Sequence, residues 1–178
     1  MNGSTQSTSK SKTKEQVKTQ KLVTFQLGVD LFAAEVLGVE RVLRYTPPSS
    51  VPDVPAWIEG VLEHRGSVIP VVDMRRRIGL DAAPATVETR ILVLTTPDGL
   101  VGAIVDAVHE VASVPLSSVA TPPAMFRGLS SEFVKGIAKV GDRLVVVLDV
   151  DRVLASGDRI AFERSLETNG LPELASRG

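Results

Sequence analysis

The 178-residue sequence contains no cysteine, one tryptophan, one tyrosine and only two histidines. Without thiols there is no disulfide framework, no thiolate nucleophile and no cysteine-based zinc site; this composition is compatible with a reducing cytosol. His64 and His109 do not recur with Asp or Glu at metal-ligand spacing, and both read as exposed polar residues without a catalytic role. No Gly-x-Gly-x-x-Gly or Gly-Lys-Ser/Thr run offers a phosphate cradle, and Ser67 lacks the Gly-x-Ser-x-Gly elbow of a nucleophile. Neither sign of charge predominates: 20 Lys plus Arg stand against 21 Asp plus Glu, so the electrostatic footprint of a nucleic-acid binder is missing. The apolar runs are short. Leu144 to Leu148 is broken at once by Asp149, far below the roughly 20 residues needed to cross a bilayer as a helix. The first 20 residues hold no apolar signal-peptide core, and export is not expected. No cofactor and no metal are expected.

What is present is organised around Trp57 to Ile78. Four prolines (Pro47, Pro48, Pro52, Pro55) lead into a predicted turn of helix at 56–62, with Trp57 as a core anchor. Arg65-Gly66-Ser67 then reverses the chain into a β-branched buried strand at 68–72, closed by Asp73. Asp73 suits the N-cap of a helical turn whose arginines, Arg75 to Arg77, read as a solvated face. Arg65, leaving the turn for a buried strand, stands on a rigid mount from which it can pair with a carboxylate.

The stretch recurs. Trp57, Gly60, Val61, Asp73 and Arg76 match Phe133, Gly136, Ile137, Asp149 and Arg152 without a gap, at an offset of 133 − 57 = 76. Upstream, Val23, Phe25, Leu31, Val36, Val39 and Val42 match Leu92, Leu94, Leu100, Val105, Val108 and Val111 at 92 − 23 = 69. An internal duplication explains both offsets; the alternative is two unrelated groups of β hairpins.

At this length one domain is expected, shared between two lobes. Residues 1–20, rich in Ser, Thr, Gln and Lys, read as a disordered tail. Strands are predicted from 21, with a turn at Gly28-Val29-Asp30, and a strand entered through a helical turn is predicted over 37–44. A linker at 81–87 separates lobes at about 21–80 and 88–155, which are intertwined within a domain of 21–157. The second lobe opens with strands at 90–96 and 100–105 around Pro97-Asp98-Gly99. Residues 158–178 read as a C-terminal helix or tail, with Ile160, Phe162 and Leu166 as the apolar residues of a modest amphipathic helix over 158–168.

With these residues assembled, the chain resembles the CheW family, the coupling proteins of bacterial chemosensory arrays. The resemblance rests on four motifs in order: Leu22-Val-Thr-Phe-Gln-Leu-Gly; Gly60-Val-Leu-Glu-His-Arg-Gly-Ser-Val-Ile-Pro-Val-Val-Asp-Met-Arg; Val105-Asp-Ala-Val-His-Glu-Val; and Gly136-Ile-Ala-Lys-Val-Gly-Asp-Arg. It implies a mostly β fold of two small five-stranded barrels around a shared core, with short helices. It also implies a non-enzymatic, cytoplasmic adaptor joining a chemoreceptor tip to the regulatory domain of a CheA-type histidine kinase, without nucleic acid or direct membrane insertion. Val39, Gly60, Arg65 and Val111 are implied at or beneath the receptor-facing surface, with Arg41 and Gly66 beside them. On that basis Gly60→Asp would weaken partner binding more than folding. Three features depart from the family: Arg41 stands where a carboxylate partner of Arg65 is common, so that two positive charges would face each other there unless Glu40 or Glu63 substitutes; Glu63-His64 replaces Asn-Leu; and the leader bears lysines. The alternative reading is an array component of the same fold with altered partner specificity. A small hydrolase or ligand-binding barrel would instead need a deep pocket of converging titratable groups.

Overall fold

The computed structural model describes residues 16–123 and 131–155. In chain order the strands are β1 (Thr19–Leu27), β2 (Asp30–Glu35), β3 (Val39–Arg44), β4 (Ile58–His64), β5 (Ser67–Asp73), β6 (Arg90–Thr96), β7 (Gly99–Val105), β8 (Ala107–Pro115), β9 (Val134–Val140) and β10 (Arg143–Leu148). One helical turn, α1 (Met74–Arg77), follows β5, and another, α2 (Val150–Val153), follows β10. The strands form two five-stranded sheets, ordered β8-β1-β2-β10-β9 and β3-β6-β7-β5-β4. Each sheet therefore draws strands from both halves of the sequence.

Every strand pairing of one sheet reappears in the other at the offsets 69 and 76. Leu22↔Glu35 corresponds to Ile91↔Ile104, Val147↔Ala33 to Val71↔Gly102, and Val111↔Val23 to Val42↔Leu92. The β-bulges correspond as well: the register slips at Glu59 in β4 and at Lys135 in β9, and at Glu40 in β3 opposite the slip at His109 and Glu110 in β8. A bulge costs ladder hydrogen bonds and redirects a strand. Unrelated hairpins would not share two bulges in register, so the structure carries an internal pseudo-twofold.

The strands are apolar on both faces because each sheet curls around its own interior and packs its outer side on the other sheet. Leu22, Ala33, Val114, Ala138, Val145 and Val147 fill one interior; Val71, Ile91 and Ile104 begin the other. Phe25, Leu27, Phe32, Val72, Leu92, Leu94, Val105 and Leu148 form the larger core shared by both sheets. In β1 the two sides alternate, Leu22 pointing to the interior and Phe25 and Leu27 to the shared core. The barrels do not close by a backbone ladder between their edge strands. Single bridges narrow the gap instead: Ser49 pairs with Val61 of β4, and Ala120 with Ile137 of β9.

Four expectations change at this level. Residues 56–62 are not helical; β4 occupies Ile58–His64, because alternate residues Ile58 and Gly60 are buried on a ladder with β5. The first strand begins at Thr19, where it pairs with Pro115, so Thr19 and Gln20 belong to the sheet and not to a tail. His64 is buried, and His109 is exposed. The arginines of α1 are not all on a solvated face: Arg76 is exposed, but Arg75 is 4% exposed and Arg77 is held between the halves. The expected helix over 158–168 lies outside the described residues.

Candidate functional site

Arg65 and Gly66 form the β4–β5 turn with φ of 52° and 76°. Two successive positive φ values suit a tight hairpin whose twist matches the flanking strands, and they favour Asn, Asp or Gly at the first position. Arginine there costs about 1–2 kcal/mol of backbone strain. The equivalent residue in the other half is Gly141, with φ 58°, which meets the same geometry without a side chain. A strained arginine at a place where glycine serves structurally points to a use for its side chain.

That side chain meets Glu40. Arg65 Nη1 lies 2.9 Å from Glu40 Oε1, and His64 Nε2 lies 3.4 Å from the same oxygen. Glu40 is the bulged residue of β3, and the bulge turns it out of the ladder toward the β4–β5 turn. Strands β3 and β4 are the opposite edges of one sheet, so this clasp spans the gap that backbone hydrogen bonding leaves open. The other half has His109, Val140 and Gly141 at the three places and carries no such clasp.

The candidate residues thus divide. Val39 and Arg41 flank Glu40 on β3, and Arg65 and Gly66 face them from the turn. Val39 is half-buried against the shared core, whereas Arg41 is exposed and forms no ion pair with any described residue. Gly60 lies beneath this surface. Its φ is 145°, and a Cβ built on it would stand 2.1 Å from the backbone oxygen of Ser49. Gly60 is therefore a packing requirement of β4, and the expected effect of Gly60→Asp on binding before folding is corrected on steric grounds. Val111 is exposed on β8, an edge of the other sheet, at the place equivalent to Val42.

At the other end of β5 from the clasp, two cationic networks on α1 hold the molecule. Arg75 Nη1 lies 2.9 Å from Asp106 Oδ1, its Nε lies 3.3 Å from Asp73 Oδ1, and Nη2 donates to the Ala83 carbonyl at 2.8 Å. Asp106 also accepts from Gly28 N at 2.6 Å, so the group ties α1 to the β1–β2 turn. Arg77 donates from Nε to the Val153 carbonyl at 2.6 Å, and its guanidinium lies 4.6 Å from the Trp57 ring and 4.9 Å from the Phe133 ring. Trp57 and Phe133 are the duplicated pair, as are Arg77 and Val153, so one arginine stacks across the pseudo-twofold. Sequence reasoning missed both networks. The available signal was a mismatch between equivalent positions: charged residues in one half that face apolar or oppositely charged ones in the other.

The family model described as "CheW-like domain" matches residues 21–158. Chemotaxis protein CheW of Rhizobium meliloti is 30% identical over 80% of this chain and 92% of its own length. The same-named protein of Bacillus subtilis is 32% identical over 76% of this chain and 86% of its own. Among solved structures, the scaffolding protein TtCheW from Thermoanaerobacter tengcongensis matches with a TM-score of 0.72 and 29% identity, over 79% of this chain and 91% of that one. With the family match running from β1 through α2 and the same fold in a scaffolding relative, the chain belongs to the CheW-like domain family.

Proposed function

We propose that the chain is a non-enzymatic adaptor that couples the cytoplasmic tip of a methyl-accepting chemoreceptor to the regulatory domain of a CheA-type histidine kinase, in the cytoplasm at chemosensory arrays. The observation that carries this reading is the family match over both sheets, from relatives named for chemotaxis to a structure described as a scaffold. The clasp adds a local argument. A strained, exposed arginine held by a bulged glutamate is a rigid polar feature on a sheet edge, the kind of mount that protein recognition uses.

The test is titration of the full chain against a purified receptor-tip fragment and against the kinase regulatory domain, followed by kinase activity in the three-component mixture. Binding of both, with kinase activity responding to the receptor only when the chain is present, is the expected result. Binding of neither overturns the adaptor reading. Arg41 favours a second reading: a family member with shifted partner specificity, which would bind the kinase domain normally and a generic receptor tip poorly, because an exposed cation stands beside the clasp.

A further inference from the structure

The two copies also differ where the Arg75 network has its counterpart. Through the offsets 76 and 69, Arg75 corresponds to Asp151, Asp106 to Leu37, Asp73 to Asp149 and Met74 to Val150. At the sheet containing β5 and β7 the place is filled: Arg75 crosses from α1 to Asp106, and Met74 is buried beneath it. At the sheet containing β10 and β2 an acid and a leucine take the two places, with no hydrogen bond or ion pair between them. An open groove of about 250 Å³ lies there, walled by Leu37, Asp151, Val150, Thr95 and the ion-paired Glu35 and Lys135.

Leu37 is 93% exposed on the rim. Asp149 is committed to α2, accepting from Arg152 N at 3.2 Å and lying 3.5 Å from Arg152 Nε. Lys135 is neutralised by Glu35. Asp151 has no hydrogen bond or ion pair with any described residue. Its place in the first turn of α2 favours an acid weakly, but α1 carries Arg75 at the same place, so the helical turn does not demand one. The groove is smaller than the roughly 300–1,000 Å³ of small-molecule sites, and its size suits a single side chain.

We propose that this groove receives an arginine side chain from a protein partner, its aliphatic stem on Leu37 and Val150 and its guanidinium on Asp151. The occupant is indicated by the molecule itself: Arg75 fills the equivalent place with that chemistry, and here an exposed acid without a partner among the described residues stands in place of the cation. An arginine both covers apolar surface with its stem and presents a charge at the tip, which matches a groove with one apolar wall and one acidic wall. The proposal rests on the adaptor reading for the identity of the partner and on this geometry for the chemistry.

Two measurements test it. In the first, the full chain with ¹³C-labelled Leu and Val methyls is titrated with N-acetyl-arginine methylamide. Saturable shifts of the Leu37 and Val150 methyls, lost in Asp151→Asn and absent with the glutamine analogue, are expected; no shift at Leu37 overturns the proposal. In the second, the double variant Leu37→Asp with Asp151→Arg rebuilds the Arg75–Asp106 pair and plugs the groove from within. It should melt no lower than the parent and bind one of the two partners, receptor tip or kinase regulatory domain, at least about tenfold more weakly. Unchanged affinity for both partners overturns the proposal while leaving the adaptor reading intact. If the unmodified chain binds neither partner, the adaptor reading falls and the methyl titration alone decides the groove.

Discussion

Glu40 Oε1 lies 2.9 Å from Arg65 Nη1, joining the two opposite edges of one sheet through side chains where no backbone ladder joins them. The carboxylate comes from the bulged residue of β3, one position before Arg41. The pairing that the resemblance assigned to position 41 is thus made from position 40. Arg41 remains exposed beside it.

Arg65 separates stability from recognition. Its side chain is 61% exposed, so losing the ion pair costs below about 1 kcal/mol, while relief of its positive φ returns about 1–2 kcal/mol. Arg65→Asn, which tolerates this backbone, should leave the melting temperature unchanged or raised and yet weaken partner binding. A melting temperature lowered by many degrees would make the arginine a structural residue instead.

A carboxylate placed at position 41 should compete with Glu40 for Arg65. Arg41→Glu is expected to strengthen binding to a generic receptor tip and to couple with Arg65→Ala by more than about 0.5 kcal/mol in a double-mutant cycle. Additive effects within that margin would mean that Arg65 stays with Glu40 and that Arg41 acts by itself.

The two equivalent glycines should differ in their tolerance. At Gly60 a Cβ meets backbone, Ser49 O at 2.1 Å, with φ at 145°; at Gly136 it meets the Val119 Cγ1 atom at 2.4 Å and Ala120 O at 3.0 Å. Gly60→Ala should destabilise by about 3 kcal/mol or more, since strain and overpacking add. Gly136→Ala should cost less, because a side chain yields more easily than backbone. Chemical denaturation of both variants checks the order, and equal losses would contradict it.

Arg75 and Arg76, neighbours in sequence, should differ in what they contribute to stability. Arg75→Met removes the buried cation shared by Asp73 and Asp106, leaving Asp73 the backbone N–H of residue 75 and Arg76 at 3.9 Å, a loss of about 3 kcal/mol, whereas Arg76 is 43% exposed and pairs mainly with the part-exposed Glu59 at 3.1 Å, so that Arg76→Met costs below about 1 kcal/mol. Similar unfolding free energies for the two variants would refute the buried network.

Much of this was legible in the chain. Alternation of apolar residues placed most strands, the positive-φ turn at Arg65-Gly66 followed from glycine chemistry, and the offsets 76 and 69 disclosed the duplication because equivalent strands must present equivalent apolar faces. The helix expected at 56–62 failed because a bulge at Glu59 breaks the strict alternation of β4 and disguises its period. The arginine run read as solvated because a helical turn by itself exposes its cations; burial of Arg75 needs Asp106, 31 residues away by 106 − 75, and no local pattern announces that partner.

The sequence alone determined the local alternation, the turns and the twofold repetition, since these depend on residue neighbours and on backbone sterics. Only the tertiary structure decided that strands from both halves exchange between the sheets, that Glu40 and not Arg41 meets Arg65, and that the place of Arg75 is filled at one sheet and open at the other. The physical reason is one of range. Hydrophobic periodicity specifies which face of a strand is buried, but charge pairing and groove formation depend on which distant residue arrives opposite, and that is set by the register of the assembled sheets.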